Sequence, residues 1–418
     1  MLDRVRRGSD FEAACEQAFA ELPDADRRLA HELAAGILRQ SGALDQRLGP
    51  LVSGGWATVA PPLKDVLRLG AYQLTVLDRI PPHAAVSTSV TLAKELRGAR
   101  ASGFVNAVLR RLPLDERMPS PSMAPAEFAT AYAHPPWLVE RWVGRFGPEA
   151  TRRLLEWNNH KPRLVLQPAR RDLAEIRTQL DARNIECTAA PFEAGLSVEA
   201  GRPRELPGYD TGDFHIQDPA QALVLQFIDP RPDDLVFDAC AAPGGKAIAL
   251  GRVTRSVIAA EIQRDRLRRL LENVQRAGSG RERPILADAA RPPVRPVDLA
   301  VLDAPCLATG TMARHPDART RVSTRALERL TEIQRKLLTR VAGAVRPGGL
   351  LVYATCSLEP EENEQQVDRF LSEHTEFVRE SSGSVPAVLL SPAGDLTILP
   401  HVHGMDGSYA ARLRRDAA

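Results

Sequence analysis

The chain has 418 residues, of which 44% are hydrophobic and 26% charged, the composition of a globular protein. This length predicts two or three domains, because a single hydrophobic core rarely grows so large. No apolar run reaches the roughly 18–20 residues of a membrane helix, and no apolar block follows the N-terminal arginines, which argues against a membrane span and a secretory signal. We therefore expect a cytoplasmic protein.

The charges and cysteines narrow the class of protein only a little further. The 55 basic and 53 acidic residues leave a formal charge of +2, which does not indicate a nucleic-acid partner. Arginine outnumbers lysine by 50 to 5, and arginine suits phosphate contacts and base stacking, so RNA binding stays open. The five cysteines are odd in number, scattered and without a CxxC pair, which argues against a disulfide framework and a zinc site. Cys15 and Cys187 are interpreted as small buried residues.

Residues 1–118 predict an all-α domain. The stretch "DADRRLAHELAAGILRQSG" places Leu29, Leu33 and Ile37 near one helical face. Two later helical segments open with paired prolines, and nothing in this part predicts a pair of strands. Residues 119–134 contain several prolines and few candidate core residues, so a linker is predicted there.

Residues 135–213 predict two helices followed by a small α/β unit. The helices carry Trp137, Trp142 and Trp157, whose spacing is typical of core packing. The strand-like "RLVLQPA", the helix-like "RDLAEIRTQLDARN" and the strand-like "IECTAA" form the α/β unit.

Residues 214–418 alternate strands and helices, after a first helix that Asp218 caps and Pro219 begins. The predicted strands are "DLVFDAC", "RSVIAAE", "RPILADA", "VDLAVLDA" and "GLLVYATC". Such alternation predicts a parallel sheet with helices on both faces, and ligands bind such sheets at the carboxyl ends of the strands. The side chains that fall on this edge are Asp238, Glu261, Asp288, Asp303 and Cys356.

The segment "VFDACAAPGGKAIAL" predicts a strand, a glycine turn and a helix. Gly244 and Gly245 would let the backbone approach a ligand, and the helix start would offer free N–H groups to it. Glu261, at the end of the next strand, would suit ribose hydroxyls. The segment is neither a P-loop nor a G-x-G-x-x-G fingerprint, and these residues alone fit an ordinary loop equally well.

Three longer motifs carry a specific resemblance. In this order and spacing, "DACAAPGGK", "DAPCLATGTMARHPD" and "YATCSLEPEENE" resemble the RNA (cytosine-5)-methyltransferases that use S-adenosyl-L-methionine. The segments from "HELAAGILRQSGALDQRL" to "GFVNAVLRRL" resemble the NusB-like domain of the 16S rRNA Sun/Fmu/RsmB family. The resemblance covers nearly the whole chain. It implies an all-α NusB-like bundle, a small α/β RNA-contacting unit and a Rossmann-like α/β methyltransferase domain with a mostly parallel sheet, whose last strand, "YAARLRR", is antiparallel.

The resemblance also implies a role for the residues at the predicted edge. It builds the cofactor turn from Cys240, Ala241, Ala242, Pro243, Gly244, Gly245 and Lys246. It assigns Glu261 to the ribose of the cofactor and Asp288 to a position beside the adenine. It assigns Asp303 to the point where the cofactor and the target base meet.

The chemistry of that family explains why two cysteines end strands. Cytosine C5 is too weak a nucleophile to take a methyl group unaided, whereas a thiolate that adds at C6 turns the ring into an enamine. The resemblance assigns Cys356 as this nucleophile, Cys306 to release of the adduct and Asp303 to the base edge. In DNA cytosine-5 methyltransferases the Pro-Cys cysteine is the nucleophile instead. The plainer alternative is that both cysteines are small buried residues, which two separate motifs beside one aspartate disfavour.

Two charged stretches have plain interpretations. The acids of "EPEENE" lie at a predicted helix start, where they complement the helix dipole, and no catalytic role is predicted for them. The candidate RNA contacts after the Pro-Cys motif are Arg314, His315, Arg319, Arg321 and Arg325, although a charge run more often forms a solvated face.

The predicted function is formation of 5-methylcytosine in 16S rRNA by a monomer. Within this chemistry, tRNA and 23S rRNA are alternative substrates. A different class would be a non-catalytic RNA-binding or assembly factor that keeps the fold, and the presence of Cys306, Cys356, Asp303 and Lys246 argues against it. Leu307 stands where the family usually has serine, which removes no catalytic group.

Overall fold

The computed structural model describes residues 1–114, 124–199 and 202–417. The chain forms two compact units, one of Met1–Lys161 with Met312–Arg321 and one of Pro162–Thr311 with Val322–Ala418. No helix in the described ranges combines the length and the apolar composition that crossing a bilayer requires.

The first unit is built from helices, as predicted for the N-terminal part. They are α1 (Leu2–Arg6), α2 (Phe11–Phe19), α3 (Asp24–Leu48), α4 (Pro61–Val76), α5 (Pro82–Arg97), α6 (Ala99–Arg110), α7 (Pro125–Ala131), α8 (Pro136–Phe146) and α9 (Pro148–Asn159). Leu44 and Leu48 lie one turn apart on α3 and share a core with Leu67 of α4 and Leu109 of α6. The helical bundle therefore closes around residues with the expected 3.6-residue spacing.

The segment predicted as a linker, residues 119–134, contains a helix. Residues 119–123 lie outside the described ranges, but α7 occupies most of the remainder. Phe128 and Ala129 of this helix are buried. A single aromatic residue with an alanine beside it was enough to anchor a helix that the proline content had hidden.

The second unit begins with a small antiparallel sheet. Its elements are β1 (Leu164–Pro168), α10 (Leu173–Asp181), β2 (Cys187–Ala189), β3 (Leu196–Val198) and β4 (Phe214–Ile216), with the strand order β2-β3-β1-β4. The sequence predicted β1, α10 and β2 but neither β3 nor β4. Because β4 pairs with β1, residues 214–216 belong to this sheet rather than to the catalytic domain predicted to start there.

The larger part of the second unit is a Rossmann-like α/β domain, as predicted. Its elements in chain order are α11 (Pro219–Ile228), β5 (Leu235–Asp238), α12 (Gly245–Val253), β6 (Ser256–Glu261), α13 (Arg264–Ala277), β7 (Glu282–Leu286), β8 (Val297–Asp303), α14 (Ala318–Arg321, part of the first unit), α15 (Thr324–Ala342), β9 (Val345–Thr355), α16 (Glu364–Glu373), β10 (Phe377–Glu380), β11 (Leu396–Ile398), α17 (Pro400–His403) and β12 (Ser408–Arg415). The sheet order is β10-β12-β9-β8-β5-β6-β7, with β11 paired to β12. Strands β5 to β9 pair in parallel, whereas β12 is antiparallel to β9.

The strands of this sheet send alternate side chains into two separate cores. Leu299 and Val301 of β8 pack on one side, and Ala300 and Leu302 pack on the other. Both faces are therefore covered, which explains why the strands read as continuous apolar runs.

The order in which strands are added to the sheet changes sides between β5 and β8. From β5 the chain adds β6 and β7 on one side, and it then crosses back to add β8 and β9 on the other side. The carboxyl ends of β5 and β8 flank the crevice that this topology creates, and ligands of open α/β sheets bind in such a crevice. The site residues predicted at strand ends therefore share one edge.

Candidate active site

The glycine turn follows β5 and leads into α12. Its backbone is tied to the sheet by hydrogen bonds from Ala239 N to Val301 O and from Ala241 N to Ala260 O, both 2.9 Å long. Gly244 has a φ of +113°, and a Cβ there would lie 2.8 Å from Leu270 Cδ1. The position therefore requires glycine. The turn brings the N–H groups at the start of α12 to the crevice, an arrangement suited to a ligand with polar or anionic groups.

Lys246 connects the turn to the end of β8. It is 7% exposed, and its Nζ lies 2.7 Å from Asp303 Oδ2 and also donates to Gln221 Oε1. Asp303 keeps part of its surface open, so its carboxylate is both paired and accessible. Gln221, on α11, was not among the predicted site residues, because an amide in a helix has no distinguishing sequence signal.

Asp238 ends β5 inside the same cluster and was likewise not predicted as a functional group. It is completely buried, and neither of its carboxylate oxygens has a hydrogen-bond partner. Burial, reinforced by the negative charge of Asp303, raises the pKa of Asp238 to about 7, against the opposing influence of Lys246. The site therefore contains an acid with unused hydrogen-bonding capacity.

Two further acids stand at the ends of β6 and β7. Glu261 is 3% exposed, accepts a 2.8 Å bond from Gln263 N through Oε1, and has Arg266 Nε 3.6 Å from Oε2. Asp288 is exposed and accepts a bond from Ala290 N. The carboxylate of Glu261, which the Gln263 N–H holds in place next to the glycine turn and the start of α12, fits a ligand that carries hydroxyl groups.

The structure places the two motif cysteines together. Cys306 Sγ and Cys356 Sγ are 3.3 Å apart, and both residues are partly accessible. The hydrogen bond with Cys356, followed by burial, raises the pKa of Cys306 well above its ordinary value. The two sulfur atoms are within hydrogen-bonding distance, and either thiol can be the donor. Cys240, in the glycine turn, is a different kind of thiol, since burial raises its pKa to about 12.

The loops around the cysteines hold each other through their backbones. Gly310 N donates to Cys356 O at 2.9 Å, and Gly407 N donates to Gly310 O at 2.8 Å. A Cβ on Gly310 would lie 2.7 Å from Gly407 Cα and 2.8 Å from Cys356 O, so this three-way contact requires glycine. Thr309 Oγ1 accepts a 2.8 Å bond from Leu358 N. The Cys356 backbone is therefore fixed on both sides.

The "EPEENE" stretch, predicted only to complement a helix dipole, is partly buried. Glu359 and Glu362 are buried, and Glu362 accepts hydrogen bonds from the loop that carries Cys306. Burial raises the pKa of Glu362 to about 7. Its neighbour Glu361 is only partly buried, and nothing in the local sequence distinguishes the two glutamates.

Most of the candidate RNA contacts fall in the first unit, and one of them is wrong. Arg319 is 6% exposed and donates to the carbonyl oxygens of Arg39, Tyr132 and Asn158, so it has a structural role. Arg321 pairs with Asp317 at 2.8 Å. The exposed His315 and Arg325 stay predictions, together with Arg314.

A solved structure shares this fold. The structure of PH0851 aligns with a TM-score of 0.79 over 99% of this chain and 97% of its own, at 23% sequence identity. The family described as "16S rRNA methyltransferase RsmB/F" matches residues 225–414. The crevice and its cysteine pair thus lie in a Rossmann-like methyltransferase domain.

Matches along the rest of the chain narrow this class to one family. The NusB family matches residues 3–113, and the ferredoxin-like domain of RsmF/B-like methyltransferases matches residues 134–203. A Synechocystis protein named probable ribosomal RNA small subunit methyltransferase B is 34% identical over 99% of this chain and 97% of its own. The ribosomal RNA small subunit methyltransferase B of Vibrio cholerae is 35% identical over 98% and 94%. The chain belongs to the RsmB/F family of rRNA methyltransferases, enzymes of the cytosine-5 type.

Proposed function

We propose that this chain forms 5-methylcytosine in 16S rRNA, with S-adenosyl-L-methionine as methyl donor and Cys356 as the nucleophile. The observation that carries this proposal is the 3.3 Å contact between the sulfur atoms of Cys306 and Cys356 at the ends of adjacent strands. A thiolate is the form of cysteine that attacks carbon, and Cys356 lies where the Cys306 sulfur can hydrogen-bond to it. The names of the relatives support 16S rRNA as the substrate, and we propose a cytoplasmic monomer.

The glycine turn and Glu261 would hold the cofactor, which supplies an electrophilic methyl group when bound. The turn offers backbone N–H groups, Glu261 offers a fixed carboxylate for ribose hydroxyls, and Asp288 lies farther along the same edge. The partnerless oxygens of Asp238 fit the need for polar contacts inside the crevice.

The residues of the chain would carry the remaining steps. The thiolate of Cys356 adds to C6 of an extruded cytosine, and the electron pair that this displaces makes C5 nucleophilic. Asp303, kept in place by Lys246, would face the base edge and stabilise the adduct. After C5 has gained the methyl group, its proton leaves to water, the C5–C6 double bond re-forms, and the C6–S electron pair returns to Cys356.

Measuring methyl transfer by the variants Cys356→Ala and Cys306→Ala tests the roles assigned to the two cysteines. We expect Cys356→Ala to abolish incorporation of labelled methyl groups into 16S rRNA while cofactor binding by calorimetry persists. Cys306→Ala should accumulate protein covalently bound to RNA, seen as a slow band on a denaturing gel. Turnover by Cys356→Ala would refute the nucleophile. Equal labelling of tRNA or 23S rRNA, checked by bisulfite sequencing, would refute the substrate.

A further inference from the structure

Glu362 lies under the loop that carries Cys306. Leu307 N donates to both of its carboxylate oxygens, at 3.0 and 3.2 Å, and Gln334 Nε2 donates to Oε1 at 2.9 Å. Gln334 Nε2 also donates to Pro305 O at 2.9 Å. The residues immediately before and after Cys306 are therefore both tied to the Glu362–Gln334 pair.

Glu362 is also joined to the segment that carries Cys356. Its backbone oxygen accepts a 2.6 Å hydrogen bond from the Tyr353 hydroxyl on β9, the strand that leads to Cys356. Glu362 thus links the two segments whose sulfur atoms meet, through its carboxylate on one side and its backbone oxygen on the other.

Burying this carboxylate is costly, and the helix dipole does not require it. Glu362 is 0% exposed, and removing a carboxylate from water is unfavourable unless its hydrogen bonds compensate. Acids that serve a helix dipole act from the surface, as the partly exposed Glu361 and Glu364 can. The compensating bonds of Glu362 come instead from Leu307 N, next to Cys306, and from Gln334 Nε2.

We propose that Glu362 is a positioning residue that aims the Cys306 thiol at the Cys356 sulfur and so speeds release of the methylated RNA. This rests on the proposed function, because it requires an adduct on Cys356. When the C6–S bond breaks, its electron pair stays on Cys356, and a hydrogen bond from the Cys306 thiol stabilises that leaving thiolate. A Cys306 loop without Glu362 would lose this alignment after the methyl group has already been transferred.

The test compares Glu362→Ala and Glu362→Gln with Glu373→Gln, an exposed glutamate on α16. We expect Glu362→Ala to lower kcat about tenfold, the effect of losing a hydrogen bond to a charged group, and to lower KM for RNA with it, so that kcat/KM for RNA is unchanged. Glu362→Gln should lose less, because its amide oxygen still accepts from Leu307 N. Both variants should accumulate the covalent RNA band that marks Cys306→Ala, and Glu373→Gln should behave as wild type.

A purely structural role gives a different result. It would lower the melting temperature and the cofactor affinity and would reduce the covalent band together with activity, and this outcome, or unchanged kcat in Glu362→Ala, overturns the proposal. If Glu362→Ala does not fold, the band in Glu362→Gln decides. Absence of methyl transfer by the wild type, or its persistence in Cys356→Ala, would overturn the proposed function itself, whereas an active wild type without a band in the Glu362 variants refutes only the positioning role.

Discussion

Two buried charged residues, one in each compact unit, differ in their hydrogen bonds. In the first unit, the guanidinium of Arg319 is surrounded by three backbone carbonyl oxygens, 2.6 to 3.3 Å away. In the second unit, Asp238 is equally inaccessible, but both of its oxygens lack a partner. Burial lowers the pKa of Arg319 to about 9 and raises that of Asp238 to about 7. The guanidinium of Arg319 donates to the fold, whereas the carboxylate of Asp238 is left unsatisfied.

This difference separates a buried charge that the fold satisfies from one that it leaves unsatisfied. The hydrogen bonds of Arg319 attach the segment Met312–Arg321 to the helices of the first unit. A second attachment comes from Arg39 Nε, which donates to Ala313 O at 2.9 Å. Asp238 belongs to the same cluster as Lys246 and Asp303. The ammonium group of Lys246, which could donate a hydrogen bond to Asp238, is paired with Asp303 instead. An unsatisfied buried acid destabilises the free protein, and such a residue persists where function needs it.

The largest effect is expected at Arg319. Arg319→Met should lower the free energy of unfolding by about 4 kcal/mol, because three buried carbonyl oxygens would lose their donor. Urea denaturation followed by circular dichroism measures this, with Arg325→Met, an exposed arginine nearby, as control. If both variants were equally stable, Arg319 would not be a structural charge.

A smaller, pH-dependent effect is expected at Asp238. Its folded-state pKa, about 7, lies above the ordinary value of 3.8, so its contribution to stability is complete below pH 3.8 and is lost as the pH rises through 7. Asp238→Asn resembles the neutral acid and lacks this loss. Between about pH 5 and pH 8 the wild type should lose on the order of 2 kcal/mol more unfolding free energy than the variant. Parallel curves for the two proteins would show that Asp238 does not titrate in this range.

The smallest effect is expected at Glu261. Glu261→Ala should weaken cofactor binding about tenfold, because the ribose hydroxyls would lose a charged acceptor. Calorimetry with S-adenosyl-L-methionine measures this, with Glu272→Ala, an exposed acid on α13, as control. Unchanged affinity would remove Glu261 from the proposed ribose contact and leave the crevice without its acidic partner.

The sequence alone predicted the architecture of the sheet domain and the edge where its site lies. Apolar strands alternating with amphipathic helices determine a parallel sheet, and each strand end can be recognised from a few neighbouring residues. Asp238, Glu261, Asp303 and Cys356 could therefore be placed along one edge without coordinates. The short strands β3, β4, β10 and β11 were not predicted.

Only the tertiary structure decided which charges are buried and which loops meet. Glu361 and Glu362 are chemically identical neighbours, yet Glu362 alone is tied to Leu307, 55 positions away in the chain. Arg319 looked like an RNA contact until its three carbonyl partners, from distant helices, became visible. Local sequence determines the helices, the strands and their ends, because those depend on neighbouring residues. Burial and hydrogen-bond partners depend on segments that only folding brings together.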